Sequence, residues 1–339
     1  MKLDFEHIQT AHCENGVSVS LLKHAGVHQM TEPLAFGIGS GLFYIILSVV
    51  KVNNAPLISF RTMPGKIFQR TCQSLGVPVV RKKFLSKEKA QQALDERLEQ
   101  GLPAACQVGV YYLTYFPKEY RFHFNAHNLI VIGKEGDNYL ISDPVMEGLH
   151  TLSSYELERV RFAKGPLAPR GQLYYPGTIT SPVTDSQIKA AIVKGIKRNV
   201  RDMLNIPGFF AGVSGIQHTG KKIKTWKDKL GDAKARSYLA QLVRMQEEIG
   251  TGGGGFRFIY GAFLQQSHAY HPVDELLDLS AQFTKAGDRW RDAAIQAAGI
   301  YKGRLQSQAD YDVMGDMLIE ISAMEKKAFT ELKAVAKRL

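Results

Sequence analysis

The chain has 339 residues, enough for about two domains, and 45% hydrophobic with 10% aromatic side chains supply a core for each. That composition excludes wholesale disorder and any collagen-like or disulfide-stapled fold. A balance of 43 Lys and Arg against 32 Asp and Glu leaves a net charge of +11, which asks for an acidic partner and leaves nucleic acid, anionic lipid and acidic protein open. Cys13, Cys72 and Cys106 stand far apart with no Cys-x-x-Cys pair, so neither a disulfide framework nor a cysteine-type zinc site is expected. The opening Met1-Lys2-Leu3-Asp4-Phe5-Glu6-His7 lacks the apolar run of a signal peptide, and the expected location is the cytoplasm.

In chain order, the first expected element is a helix of about three turns opening at Cys13: Val17, Leu21 and Ala25 recur at helical spacing and Gly26 follows as a stop. Pro33 to Val50 carries no charge and has nearly the length of a short membrane span. Its glycines Gly37, Gly39 and Gly41 would each cost such a helix about 1 kcal/mol relative to alanine. The stretch therefore reads as a Gly-rich loop running into a buried helix or strand. Ser86 to Gln100 reads as a helix, with Ser86 as N-cap and Ala90, Leu94 and Leu98 on one face. Val108 to Phe116 and Phe122 to Asp143 are rich in β-branched and aromatic residues and read as strands, the second broken into a hairpin by Lys134 to Asn138. Breakers crowd Lys164 to Pro182, and helical periodicity resumes after Thr184 and runs to the end. The expected organisation is α+β over 1–165, a linker over 166–184 and an all-α domain over 185–339.

Charge is uneven. Between Lys189 and Arg236 there are twelve Lys and Arg against three acids, which fits either a solvated helix face or a docking surface for an acidic protein. No nucleic-acid motif accompanies the charge, and no nucleic-acid partner is expected. Gly215 to Lys222 nearly matches a phosphate loop, but Lys222 stands where a Ser or Thr would hold magnesium. Gly252 to Gly255 reads as a joint between two helices.

A cysteine nucleophile needs an environment that favours thiolate, a neighbouring base and a group that orients the base. Cys13 at a helix N-terminus, beside His12, meets the first condition; a buried, inert cysteine is the alternative. His127 supplies a base and Asp143 an orienting carboxylate. If Lys134 to Asn138 is the hairpin loop, Gly133 faces Tyr139 and Leu129 faces Asp143, so His127 lies diagonal to Asp143 on one sheet face. A one-residue slip would break this arrangement. His123 and His127 stand four apart, but the strand-like surroundings and the lack of a third ligand argue against a metal site.

His127-Asn-Leu-Ile-Val-Ile-Gly followed by Asp143-Pro144 resembles the His and Asp-Pro elements of bacteriocin-processing, papain-like cysteine peptidases. His12-Cys13-Glu14-Asn15 and Thr31-Glu32-Pro33-Leu34-Ala35-Phe36-Gly37-Ile38-Gly39-Ser40-Gly41-Leu42 resemble the N-terminal domain of the butirosin-biosynthesis protein H family. Gly252 to Leu264 is similar to the C-terminal domain of unassigned function that often follows it. The resemblance implies a papain-like domain whose cysteine takes an acyl group from the phosphopantetheine thioester of an acyl carrier protein and passes it to an amine or hydroxyl.

That role falls on Cys13, with His127 and Asp143 completing a triad, and the resemblance implies an acyltransferase acting on a small-molecule or lipid acceptor. Backbone N–H groups at the opening of the Cys13 helix would hold the oxyanion, with Gln9, His12 and Glu32 as candidate supports. Phe36, Gly39 and Arg257 are candidate substrate contacts. Lys221, Lys222 and Lys224 are candidate docking residues for the acidic carrier. No cofactor is expected beyond the phosphopantetheine arm the carrier brings. A thioesterase or amidase on the same triad, and a non-catalytic acyl-carrier-binding scaffold, are the alternatives.

Overall fold

The computed structural model describes residues 2–52 and 54–339. It divides into two compact units, each built from two stretches of chain: one from the segment up to Ala35 with Ile67–Thr184, the other from Phe36–Lys66 with Asp185–Leu339.

In the first unit, helices α1 (Cys13–His24), α3 (Lys66–Leu75), α4 (Lys87–Glu99) and α5 (Ser154–Arg161) accompany an antiparallel sheet. Its strands are β3 (Val79–Lys82), β4 (Ala104–Val108), β5 (His127–Glu135), β6 (Asn138–Ser142), β7 (Leu149–Ser153) and β8 (Leu173–Pro176), in the order β3-β8-β4-β5-β6-β7. Helix α1 begins at Cys13 because His12 caps it, with extended backbone and its Nδ1 accepting the Asn15 N–H at 3.4 Å. The helix is buried nearly all round. A Cβ at Gly16 would lie 2.2 Å from Thr10 Oγ1 and 2.3 Å from Pro144 Cβ, so only glycine lets α1 close on the residue that follows Asp143. The Thr10 N–H donates to the Pro144 carbonyl at 2.7 Å across the same contact.

The β5–β6 hairpin turns at Gly136-Asp137, with Glu135 opposite Asn138, a tighter loop than the expected Lys134 to Asn138. The expected register is consequently one residue off at Gly133, which faces Leu140. A bulge between Val131 and Gly133 absorbs that residue, and Ile130 faces Ser142, the register expected beside His127 and Asp143. The Ile132 carbonyl at the bulge accepts the Leu3 N–H at 3.0 Å.

Two expectations for this unit need correcting. Val108 ends a strand rather than starting one, and Val110–Tyr112 is a single 3-10 turn. Its aromatic residues mimic strand propensity but pack as a loop: Tyr111 stacks on His123 at 4.1 Å and Tyr112 lies 3.9 Å beneath the Arg159 guanidinium. The stretch 166–184 is not a bare linker, since Leu173–Pro176 inserts as β8 between β3 and β4 with Leu173 and Tyr174 buried. A four-residue strand among prolines and glycines leaves no compositional trace.

The second unit contains α6 (Asp185–Leu204), α7 (Gly212–Ile223), α8 (Trp226–Leu230), α9 (Asp232–Val243), α10 (Arg257–Tyr270), α11 (Glu275–Tyr301) and α12 (Gln308–Val335). Helix α2 (Glu32–Ile38) leads into it from the first unit. It is not all-α. The uncharged stretch after α2 forms β1 (Leu42–Val52), paired with β2 (Ala55–Arg61) in a hairpin that packs against the helices. Leu42, Tyr44 and Ile46 are buried in alternation, the Tyr44 hydroxyl shares a 2.7 Å hydrogen bond with that of Thr219, and the Asn199 amide donates to the Leu42 carbonyl at 2.7 Å. Among the described residues no helix is long and apolar enough to cross a membrane. Gly215 to Lys222 lies inside α7, not in a phosphate loop. Helices α7 and α12 touch at Gly220 and Gly315, where a Cβ on Gly220 would sit 2.5 Å from the Gly315 carbonyl oxygen.

Gly252 to Gly255 joins two helical segments, as expected, with φ between 57° and 83° at all four positions. The Gly254 N–H donates to the Glu247 carboxylate at 3.1 Å. Arg257 then turns inward. Fully buried, it holds Glu325 in two hydrogen bonds of 2.8 and 2.9 Å, donates to the Gly255 carbonyl at 2.7 Å and lies over the rings of Phe60 and Trp290. The Trp290 Nε1–H donates to the same carboxylate at 2.7 Å. Arg257→Ala strands a buried carboxylate and should cost about 3–5 kcal/mol, read as a lowered urea midpoint; Arg257→Lys, which cannot make the forked pair, should recover only part of it.

Candidate active site

Cys13 is the first residue of α1 and only 6% exposed. His127 opens β5, and Asp143 directly follows β6, where it has no exposed surface. The His127 Nε2 lies 2.7 Å from Asp143 Oδ2, and the imidazole is hydrogen-bonded to the Cys13 sulphur as well. With Nε2 engaged by Asp143, Nδ1 is the ring atom left for the sulphur. The Tyr115 hydroxyl donates to the same Asp143 oxygen at 2.8 Å, and the Val145 N–H donates to Oδ1 at 3.2 Å. Phe116 packs edge-on to the His127 ring with centroids 5.4 Å apart.

Burial acts to lower the His127 pKa, but the Asp143 charge, the Cys13 sulphur and the hydrogen bonds to both outweigh it and push the imidazole up to about 10. A cationic His127 at neutral pH stabilises a thiolate at Cys13, and the N-terminal end of α1 adds to that stabilisation. The Tyr115 hydroxyl is driven well above its ordinary value by burial and by Asp143, so it remains a donor.

Two carboxylates brace the cysteine turn. Glu32 accepts the Ala11 and His12 N–H groups at 3.0 and 2.9 Å and the Asn15 side chain at 3.4 Å; burial raises its pKa against these donors. Glu14, fully buried, accepts the Ile67 and Phe68 N–H groups at 2.9 and 3.3 Å and so fixes the start of α3. His12 serves as the helix cap.

The remaining candidates fare differently. Gln9 is exposed. Phe36 and Gly39 are buried inside the second unit, Phe36 stacked on Phe256 at 5.1 Å. Arg257 is consumed by Glu325, so none of these three presents a surface to substrate. Lys221 and Lys222 are exposed at the end of α7, whereas the Lys224 ammonium is paired with Asp316 at 2.5 Å. A cavity of about 480 Å³ lined by Lys2, Thr114, Tyr115, Leu140, Leu149, His150 and Thr151 shares Tyr115 with the site but neither Cys13 nor His127.

Sequence reasoning missed Tyr115, which carried no signal beyond an aromatic-rich stretch, and Asn128. The Asn128 amide lies 3.7 Å from the Cys13 sulphur and also donates to the Ala126 carbonyl at 3.1 Å, while its oxygen accepts the Tyr174 hydroxyl at 2.8 Å. Its adjacency to His127 was the available clue.

A cysteine on the first turn of a buried helix, facing a strand histidine whose far nitrogen is held by a carboxylate, forms a Cys-His-Asp constellation in an α+β unit, here combined with a largely helical second unit. Residues 155–332 match the family described as Domain of unknown function (DUF4872), and residues 12–144 match Butirosin biosynthesis protein H, N-terminal. The first match covers more than half of the chain, which belongs to that family and carries the butirosin-type domain ahead of it. Among solved structures, a putative C39-like peptidase from Bacillus anthracis is 14% identical over 53% of this chain and 100% of that chain, with a TM-score of 0.36. No curated protein matches the chain.

The charge on His127 can be read directly by ¹⁵N NMR of the imidazole. The ring should remain protonated through pH 8 and lose its proton near pH 10. Asp143→Asn removes the main raising influence while burial persists, so the titration should fall by several pH units; an unchanged midpoint would contradict this account of the pair.

Proposed function

We propose that the protein is a cysteine-dependent acyltransferase that carries an acyl group from an acyl carrier protein thioester, through acyl-Cys13, to an amine or hydroxyl of a small-molecule or lipid acceptor. The observation that carries the reading is the buried Asp143–His127 pair held against the Cys13 sulphur. The match to a biosynthetic N-terminal domain favours acyl transfer within this chemistry.

The Cys13 thiolate adds to the thioester carbonyl, forming a C–S bond as the carbonyl π pair moves to oxygen. On collapse, the bond to the phosphopantetheine sulphur breaks, and that thiolate takes the proton from His127. Neutral His127 then accepts a proton from the acceptor amine or hydroxyl as it attacks the acyl-cysteine, and Cys13 departs as thiolate. Asp143 keeps the ring oriented and balances its charge in both halves. The basic stretch between Lys189 and Arg236 suits a small acidic carrier, with Lys221 and Lys222 as its exposed contacts.

Intact-mass measurement after mixing with an acyl-carrier thioester should show one acyl adduct, absent in Cys13→Ala and slowed about a hundredfold or more in His127→Ala. Fast acid release without acceptor would mark a hydrolase, and neither adduct nor turnover would defeat the proposal. Lys221→Glu combined with Lys222→Glu should raise KM for the carrier-bound substrate about tenfold and leave a small N-acetylcysteamine thioester unaffected; equal effects on both substrates would remove the carrier from the account.

A further inference from the structure

We infer that Asn128 is a catalytic residue, the side-chain donor that receives the carbonyl oxygen when Cys13 adds to a substrate. This inference rests on Cys13 being the nucleophile of the proposed function.

The carboxamide is 3% exposed and its orientation is determined by its partners. The Ala126 carbonyl, 3.1 Å away, can only accept, so the end of the amide facing it is Nδ2. The opposite end is then Oδ1, and the Tyr174 hydroxyl donates to it at 2.8 Å. Tyr174 cannot swing away: it is fully buried in β8, its ring 5.0 Å from Phe68 and 5.5 Å from the Arg81 guanidinium. Nδ2 carries two hydrogens, one spent on Ala126. The other is directed to the Cys13 sulphur at 3.7 Å, long for a bond to sulphur. An oxygen carried on a carbon newly bonded to that sulphur would come within reach of the same N–H, at the N-terminal end of α1. The donor is thus fixed before substrate arrives and aimed where negative charge develops.

Two reagents separate this role from a merely structural one. Iodoacetamide alkylates a thiolate by displacement at an sp³ carbon and creates no oxyanion. Hexanal adds reversibly to the Cys13 thiolate: a C–S bond forms and the carbonyl pair moves to oxygen, giving a hemithioacetal oxyanion balanced by cationic His127. Hexanal binding is read as protection of Cys13 from iodoacetamide.

Asn128→Leu should weaken hexanal protection at least about tenfold and slow acyl-Cys13 formation about a hundredfold, while the alkylation rate and its pH profile change less than about twofold. Tyr174→Phe, which keeps the ring packing but frees Oδ1, should produce a smaller loss of the same pattern and remains informative if Asn128→Leu does not fold. Equal loss of alkylation and hexanal protection would show that Asn128 acts on the thiolate, and would overturn the assignment. So would unchanged protection in both variants, or a wild-type protein that hexanal does not protect. Selective loss of hexanal protection in a protein that accepts no acyl thioester would defeat the acyltransferase reading and leave this one standing.

Discussion

A carboxylate with no contact to solvent has to be matched by donors, and Asp143 is the point to which the geometry of the first unit converges. Burying such a group unpaired would cost several kcal/mol, yet here His127, Tyr115 and the Val145 N–H all bond to it. Each of those donors must be held in turn. The hairpin register brings His127 diagonal to Asp143, and the loop after β4 delivers Tyr115. Gly16 and the Thr10–Pro144 hydrogen bond bring α1, and with it Cys13, against the residue after the carboxylate. The cysteine therefore reaches its histidine through constraints that all run past one aspartate.

The other two acids near Cys13 illustrate how surroundings divide roles among identical groups. Glu32 and Glu14 could each have served as a base, but their oxygens are filled by backbone N–H groups, at residues 11 and 12 in one case and at the start of α3 in the other. They hold the turn and the neighbouring helix. The imidazole, with one nitrogen on Asp143, is the group left facing sulphur.

Much of this was legible in the sequence where local chemistry and tertiary demand agree. The capped start of α1 at Cys13 and the Ser86-capped α4 follow from spacing and cap residues. The diagonal placement of His127 and Asp143 was reached from a hairpin loop that is too long, and it holds because a bulge near Ile132 restores the register. Strand β8 was hidden among breakers, and β1 was visible only as an uncharged run, because a short strand takes its stability from neighbours remote in sequence. Arg257 looked like a binding residue beside a flexible glycine run. Its partner Glu325 is 68 positions away, and no local pattern announces such a pair. Asn128 was obscured for the same reason, since its orientation depends on Tyr174.

The two family matches meet between residues 144 and 155, but the compact units do not divide there. Strand β8, internal to the sheet that carries His127, comes from the second match, and the β1–β2 hairpin of the helical unit comes from within the first. Gene fusion and fission at that boundary would leave one fragment with a gap in its sheet and the other without its hairpin. Neither matched segment therefore carries the whole of one compact unit.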